Sequence, residues 1–171
     1  RKWVEYWYRN SVTSTKIENQ MGCIVSHTDW AVDGIKIFEL NPTLKLKYDF
    51  DFVESDKSLH DLTFTSDGNR FVSLMYHDDA ISILEFNVNN QDNYEKIIKT
   101  NITYRENRIE KIHYITDKIL SIINCTDIFL FDLENEVLLK QIKRDSLSPF
   151  HVTFNSIVYL KNNKVVDLKL N

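Results

Sequence analysis

Leu59-His60-Asp61-Leu62-Thr63-Phe64-Thr65-Ser66-Asp67-Gly68-Asn69-Arg70-Phe71-Val72-Ser73-Leu74-Met75-Tyr76-His77-Asp78-Asp79-Ala80-Ile81-Ser82-Ile83-Leu84-Glu85 holds three apolar runs separated by two polar turns. Ser66-Asp67-Gly68-Asn69 is a turn by its chemistry: an Asp side chain can bond nearby backbone N–H groups, and Gly tolerates a positive φ. His77-Asp78-Asp79 marks the second turn. The runs are short and rich in β-branched and aromatic residues, so each is read as a strand.

The same texture extends in both directions. Leu44, Leu46, Tyr48, Phe50 and Phe52 alternate with Lys45, Lys47, Asp49 and Asp51, the pattern of a half-buried strand. Helical periodicity is nearly absent. Many short strands with polar turns make an all-β sandwich, barrel or propeller, and only a longer period can choose among them. One strand type recurs in Gly34-Ile35-Lys36-Ile37-Phe38-Glu39-Leu40, Ala80-Ile81-Ser82-Ile83-Leu84-Glu85-Phe86, Asp127-Ile128-Phe129-Leu130-Phe131-Asp132-Leu133 and Lys164-Val165-Val166-Asp167-Leu168-Lys169-Leu170. These begin at residues 34, 80, 127 and 164, intervals of 46, 47 and 37 residues. That spacing suits a four-stranded propeller blade.

Leu59, Leu62, Phe64, Ser66-Asp67-Gly68, Phe71, Ser73, Asp78, Ile81, Ile83 and Leu84-Glu85 fall where a WD repeat carries its inner strand, turn, second strand, turn Asp and third strand. The segment resembles a WD repeat of a divergent kind. Phe38-Glu39, Leu84-Glu85, Phe131-Asp132 and Leu168-Lys169 stand where the family has Trp-Asp, Val32 and Cys125 stand at two turn-Asp positions, and no Gly-His pair occurs. The resemblance implies an all-β, WD-repeat-like β-propeller of about four repeat units, 1-40, 41-86, 87-133 and 134-171, within one domain of residues 1-171. It also implies that each unit gives an outer strand to one blade and three inner strands to the next. The family's usual ring has about seven blades, so the expectation is the C-terminal half of a larger propeller, its other blades upstream or on another chain. A self-closed four-bladed ring and a sandwich are the alternatives. The half-ring expectation leaves open blade faces at both ends, with Val12, Ile24, Phe154 and Val158 on them.

Hydrophobic residues make up 43% of the chain and aromatics 12%, which fits a folded protein; the net charge of −4 gives no global reason to expect nucleic acid or an anionic membrane surface. Cys23 and Cys125 lie far apart in apolar runs and are read as free thiols of a reducing compartment. No stretch approaches the roughly 20 apolar residues of a membrane helix, and the start lacks a signal-peptide core. An intracellular, cytoplasmic or nuclear protein is expected. The chain opens on Arg1 rather than Met, which suggests further sequence upstream.

Chemistry-bearing patterns are few. Gly22, Gly34 and Gly68 are isolated and expected in turns, so no phosphate-cradling loop exists. The five histidines lack metal-ligand spacing, and no cofactor, metal or catalytic set is assigned. Ser26-His27-Thr28-Asp29 and His77-Asp78-Asp79 could be acid-base pairs of a hydrolase, but strand neighbours point to opposite faces and turn carboxylates usually cap backbone. Asp67, Gly68 and Asp78 are therefore read as structural turn residues. Trp30, Tyr76 and His77 are candidate contact residues on a loop rim. Arg105 and Arg108 belong to a basic run from Lys96 to Lys118 that Lys140, Lys143 and Arg144 could extend into a patch. The expected function is a non-catalytic protein-interaction scaffold within an intracellular multiprotein complex, partnered by other protein subunits. A nucleic-acid-associated subunit, in tRNA or rRNA processing or chromatin, is the alternative.

Overall fold

Short apolar runs between turn residues fold as hairpins, and hairpins in succession build meanders. A computed structural model describes residues 15–17, 19–27, 32–52, 57–77, 79–90, 94–103 and 109–170. Four antiparallel sheets follow one another along the chain. The first runs β1 (Thr15–Ile17), β2 (Gln20–His27), β3 (Val32–Glu39) and β4 (Lys45–Phe52). The second is β5 (Lys57–Phe64), β6 (Arg70–His77), β7 (Ala80–Asn87) and β8 (Lys96–Thr103). The third is β9 (Ile109–Tyr114), β10 (Ile119–Asn124), β11 (Asp127–Asp132) and β12 (Val137–Lys143). The fourth has three strands, β13 (Phe150–Thr153), β14 (Ser156–Lys161) and β15 (Lys164–Lys169). The recurring strand type found in the sequence is the third strand of each sheet.

The sheets stack face to face as propeller blades do, and the core lies between them in three clusters. Ile24, Ile35, Ile37 and Tyr48 of the first sheet meet Leu59, Leu62, Phe64, Phe71 and Phe86 of the second. Val72, Leu74, Ile81, Ile83 and Ile98 meet Ile112, Tyr114, Leu120, Ile122 and Phe129 of the third. Ile123, Ile128, Leu130 and Ile142 meet Ile157 and Tyr159 of the fourth. The second sheet is thus covered on both faces, which explains why β6 and β7 read as continuous apolar runs. Phe71 and Met75 serve one cluster, Val72 and Leu74 the other. Phe71 and Phe86 stack at 4.7 Å, and Tyr48 meets Phe71 edge-on at 5.4 Å.

Two expectations are corrected. Gly22 and Gly34 stand inside β2 and β3, not in turns. A Cβ on Gly22 would lie 2.7 Å from Leu62 Cδ1 and 3.0 Å from Ile37 Cδ1, so this glycine lets the first two sheets approach closely. Ile24, expected on an open end face, is 3% exposed and packs between the first and second sheets. Val12 lies outside the described residues.

Candidate interaction surface

Turns at the two ends of the strands form two rims, and polar side chains tie neighbouring sheets together there. In the β5–β6 turn, Asp67 accepts from the Thr65 hydroxyl at 2.6 Å, the Asn69 amide N–H at 3.0 Å and the Asn69 side chain at 2.9 Å. These bonds hold its carboxyl at about 2, below the ordinary carboxylate range. Gly68 takes φ 69, a conformation that favours glycine. The next turn reaches across: Asp117 accepts from the Ser66 backbone N–H and hydroxyl at 2.8 and 2.9 Å.

Three buried polar residues fasten strands within and between the sheets, and two of them, Asp61 and Asp127, gave no functional signal in the sequence. Asp61, buried and at φ 51, accepts from its neighbour Leu62 N–H at 2.9 Å and, across the sheet boundary, from Ile112 N–H at 2.8 Å. Asp127, buried at the start of β11, accepts from Thr126, Gln141 and Lys143. Burial raises its carboxyl, but these three donors outweigh burial and leave it below the ordinary value. Arg144, 5% exposed, donates to Asn124 O at 2.8 Å, to Ser148 O and to Glu110 at 2.7 Å, with its guanidinium 4.8 Å above the Phe150 ring. Arg144 therefore joins the third sheet to the fourth and does not contribute to an exposed basic patch. Other cations of the basic run are also ion-paired: Lys96 with Glu136, Lys111 with Asp61, Lys118 with Glu134 and Lys143 with Asp127.

Tyr76 and His77 lie at the end of β6 and are half-buried, so they sit on a strand rather than on a free loop. The Tyr76 ring packs on the core between the second and third sheets and stacks on His60 at 5.3 Å. Trp30, Asp78, Arg105 and Arg108 lie outside the described residues. Cys125 is a half-buried free thiol in the β10–β11 turn.

Two concavities stand out. A polar crevice of about 340 Å³ opens on the rim between the second and third sheets, lined by Arg70, Glu85, Lys96, Asp117, Lys118, Leu133 and Glu134. An apolar hollow of about 260 Å³ lies on the fourth sheet, against Pro149, Phe150, His151, Val158, Tyr159, Leu160 and Val165. Among the described residues no group of three His, Cys, Asp or Glu side chains could hold a metal ion, and no helix is long and apolar enough to cross a membrane.

These sheets define a β-propeller segment. No protein-family model matches the chain, and no curated protein matches it in sequence. Solved propeller structures resemble it in fold. A subunit of the COPII outer coat vertex matches at TM-score 0.62 and 11% identity over 90% of this chain and 41% of its own. Hsv2 of Kluyvelomyces marxianus matches at 0.61 and 10% over 94% of this chain and 49% of its own. The propeller domain of the trilobed protease from Pyrococcus furiosus, described as having an open velcro topology, matches at 0.55 and 11% over 92% and 56%. An acylaminoacyl peptidase matches at 0.59 and 11% over 91% and 31%. The chain spans less than two thirds of the length of each.

Proposed function

We propose that this chain is part of a divergent WD-repeat propeller that serves as a non-catalytic protein-interaction scaffold in an intracellular complex of the cytoplasm or nucleus. The carrying observation is the fourth sheet: among the described residues it has three strands where the others have four, and its outward face presents the apolar hollow around Val158, Leu160 and Val165. Such a face is suited to cover by protein, either further blades of the same ring or another subunit. The likeness to coat and Hsv2 propellers supports the reading at the level of fold. The ion pairing of Lys96, Lys111, Lys118 and Lys143 favours protein over nucleic acid as the partner, because phosphate binding draws on cations free to exchange counterions. Affinity purification of the full-length protein from its native cells is expected to recover at least one protein in stoichiometric amount. Recovery of none, or of nucleic acid alone, would count decisively against the scaffold.

A further inference from the structure

The fourth sheet ends on a third strand whose outer edge is open. In the other sheets the third strand is paired on both sides, with β4 beside β3, β8 beside β7 and β12 beside β11. Among the described residues β15 pairs with β14 alone. The consequence shows in burial. Leu84 and Phe86 of the second sheet, and Phe131 and Leu133 of the third, are buried, whereas Leu168 and Leu170 at the same places in the repeat stay half-buried.

The hairpin fixes which backbone groups face that edge. Asn162 and Asn163, at φ 53 and 58, form a two-residue turn, so Lys161 and Lys164 are a hydrogen-bonded pair and such pairs recur at every second residue. Leu170 N–H donates to Asn155 O at 3.0 Å in the same phase. Val165, Asp167 and Lys169 therefore turn their N–H and C=O groups away from β14. A strand added here must set its own hydrogen-bonding residues opposite these.

We infer that this edge pairs antiparallel with the same edge of a second copy of the chain, about a two-fold axis between their Leu168 residues. Of the registers that keep most of β15 paired, those centred on Asp167 or Lys169 set like charges against each other, and the one centred on Val166 sets Asp167 against Val165. Centred on Leu168, Asp167 lies opposite Lys169 of the second copy and Lys169 opposite its Asp167, each pair exchanging both backbone hydrogen bonds. On the other face Leu168 meets Leu168 and Val166 meets Leu170, so half-buried side chains packed on the cluster of Ile157 and Tyr159 gain cover. Within one copy Asp167 accepts from the Ser156 hydroxyl at 2.6 Å, a neutral donor, and the exposed Lys169 ammonium approaches it only to 3.9 Å. Lysine on an edge strand discourages indiscriminate pairing. Here it selects a strand that brings a carboxylate opposite.

Sedimentation of the full-length protein at rising concentration should show a dimer. Asp167→Lys and Lys169→Asp, each alone, oppose like charges at both pairs and should weaken the dimer by about tenfold or more. Both side chains are exposed, so neither change should lower the melting temperature measured in the monomer range. Mixed in equal amounts, with a fluorescent label on one, the two variants should form a heterodimer, because one strand then carries only positive and the other only negative charge at these places. A merely damaged fold cannot give that rescue. A monomer at every concentration, a dimer indifferent to both reversals, or no heterodimer in the mixture would overturn the pairing. The inference is independent of the scaffold reading: another protein recovered in stoichiometric amount, with no self-association, removes the dimer and leaves the scaffold.

Discussion

Asp61 shows how much one buried carboxylate can organise. Its two oxygens take the amides of Leu62 and Ile112, and its carbonyl takes the Ser73 hydroxyl at 2.9 Å. Asp61→Ala strands two buried amides and leaves a residue at φ 51 without local hydrogen bonding, so it should cost about 2–4 kcal/mol. Asp61→Asn keeps one acceptor oxygen and tolerates the backbone, and about 1 kcal/mol is expected. Urea unfolding of the two variants checks this; equal losses would mean that the acceptor oxygen kept by Asn contributes nothing. Asp67 gives a pH signature instead. Its carboxyl falls from the ordinary 3.8 to about 2 on folding, so its contribution is present above the unfolded value and disappears as pH falls through that interval. Asp67→Asn should flatten the loss of stability between those limits, and an acid-unfolding curve identical to the parent's would refute the role. Asp67 and Gly68 were legible in the sequence because turn chemistry is local. Asp61 was not, since its key partner is 51 residues away, and Arg144 was misread because an isolated cation ordinarily faces water.

At the scale of the strand, alternation located the elements better than it located their cover. In β4 and the residue before it, Leu44, Leu46, Tyr48 and Phe50 were all expected inward. Tyr48 is 0% exposed and Phe50 packs on the core, but Leu44 and Leu46 are 65% and 46% exposed. The register against β3 shifts between Ile37 and Phe38, and Leu46 pairs beyond that shift, past the aromatic cluster that covers Tyr48. A period of two records which face a residue takes, not whether a neighbouring sheet reaches that far. Tyr48→Ala should therefore cost about 3–5 kcal/mol and Leu46→Ser under about 0.5 kcal/mol. Comparable losses from thermal or denaturant unfolding would show that the outer end of β4 is covered in solution. Tyr48→Phe makes the complementary case, because the Tyr48 hydroxyl is buried without a partner among the described residues and burial pushes it up to about 12. Its removal should leave stability unchanged or raise it.

For the molecule as a whole, the repeat spacing predicted the stack of sheets, because each blade is a local meander and only its contacts with neighbours are distant. The ends of the stack were less legible. Both ends were expected to be open, yet Ile24 of the first sheet turns toward the second, whereas the outward side of the fourth carries Val158, Leu160 and Val165, the last 73% exposed. Beyond β15 no strand pairs with the sheet among the described residues. Covering such a face would remove on the order of a few hundred Å² of apolar surface from water, worth several kcal/mol at roughly 25 cal/mol per Å². That is a sizeable share of the stability of a typical domain. The 171-residue chain alone should therefore bind a hydrophobic dye and self-associate in sedimentation experiments. Val158→Lys with Val165→Lys should reduce both signals without lowering the melting temperature, because neither side chain belongs to the cluster formed by Ile123, Ile128 and Ile157. A chain that sediments as a monomer, unfolds cooperatively and binds no dye would show that this face is covered from within, and a self-closed β domain would replace the open propeller.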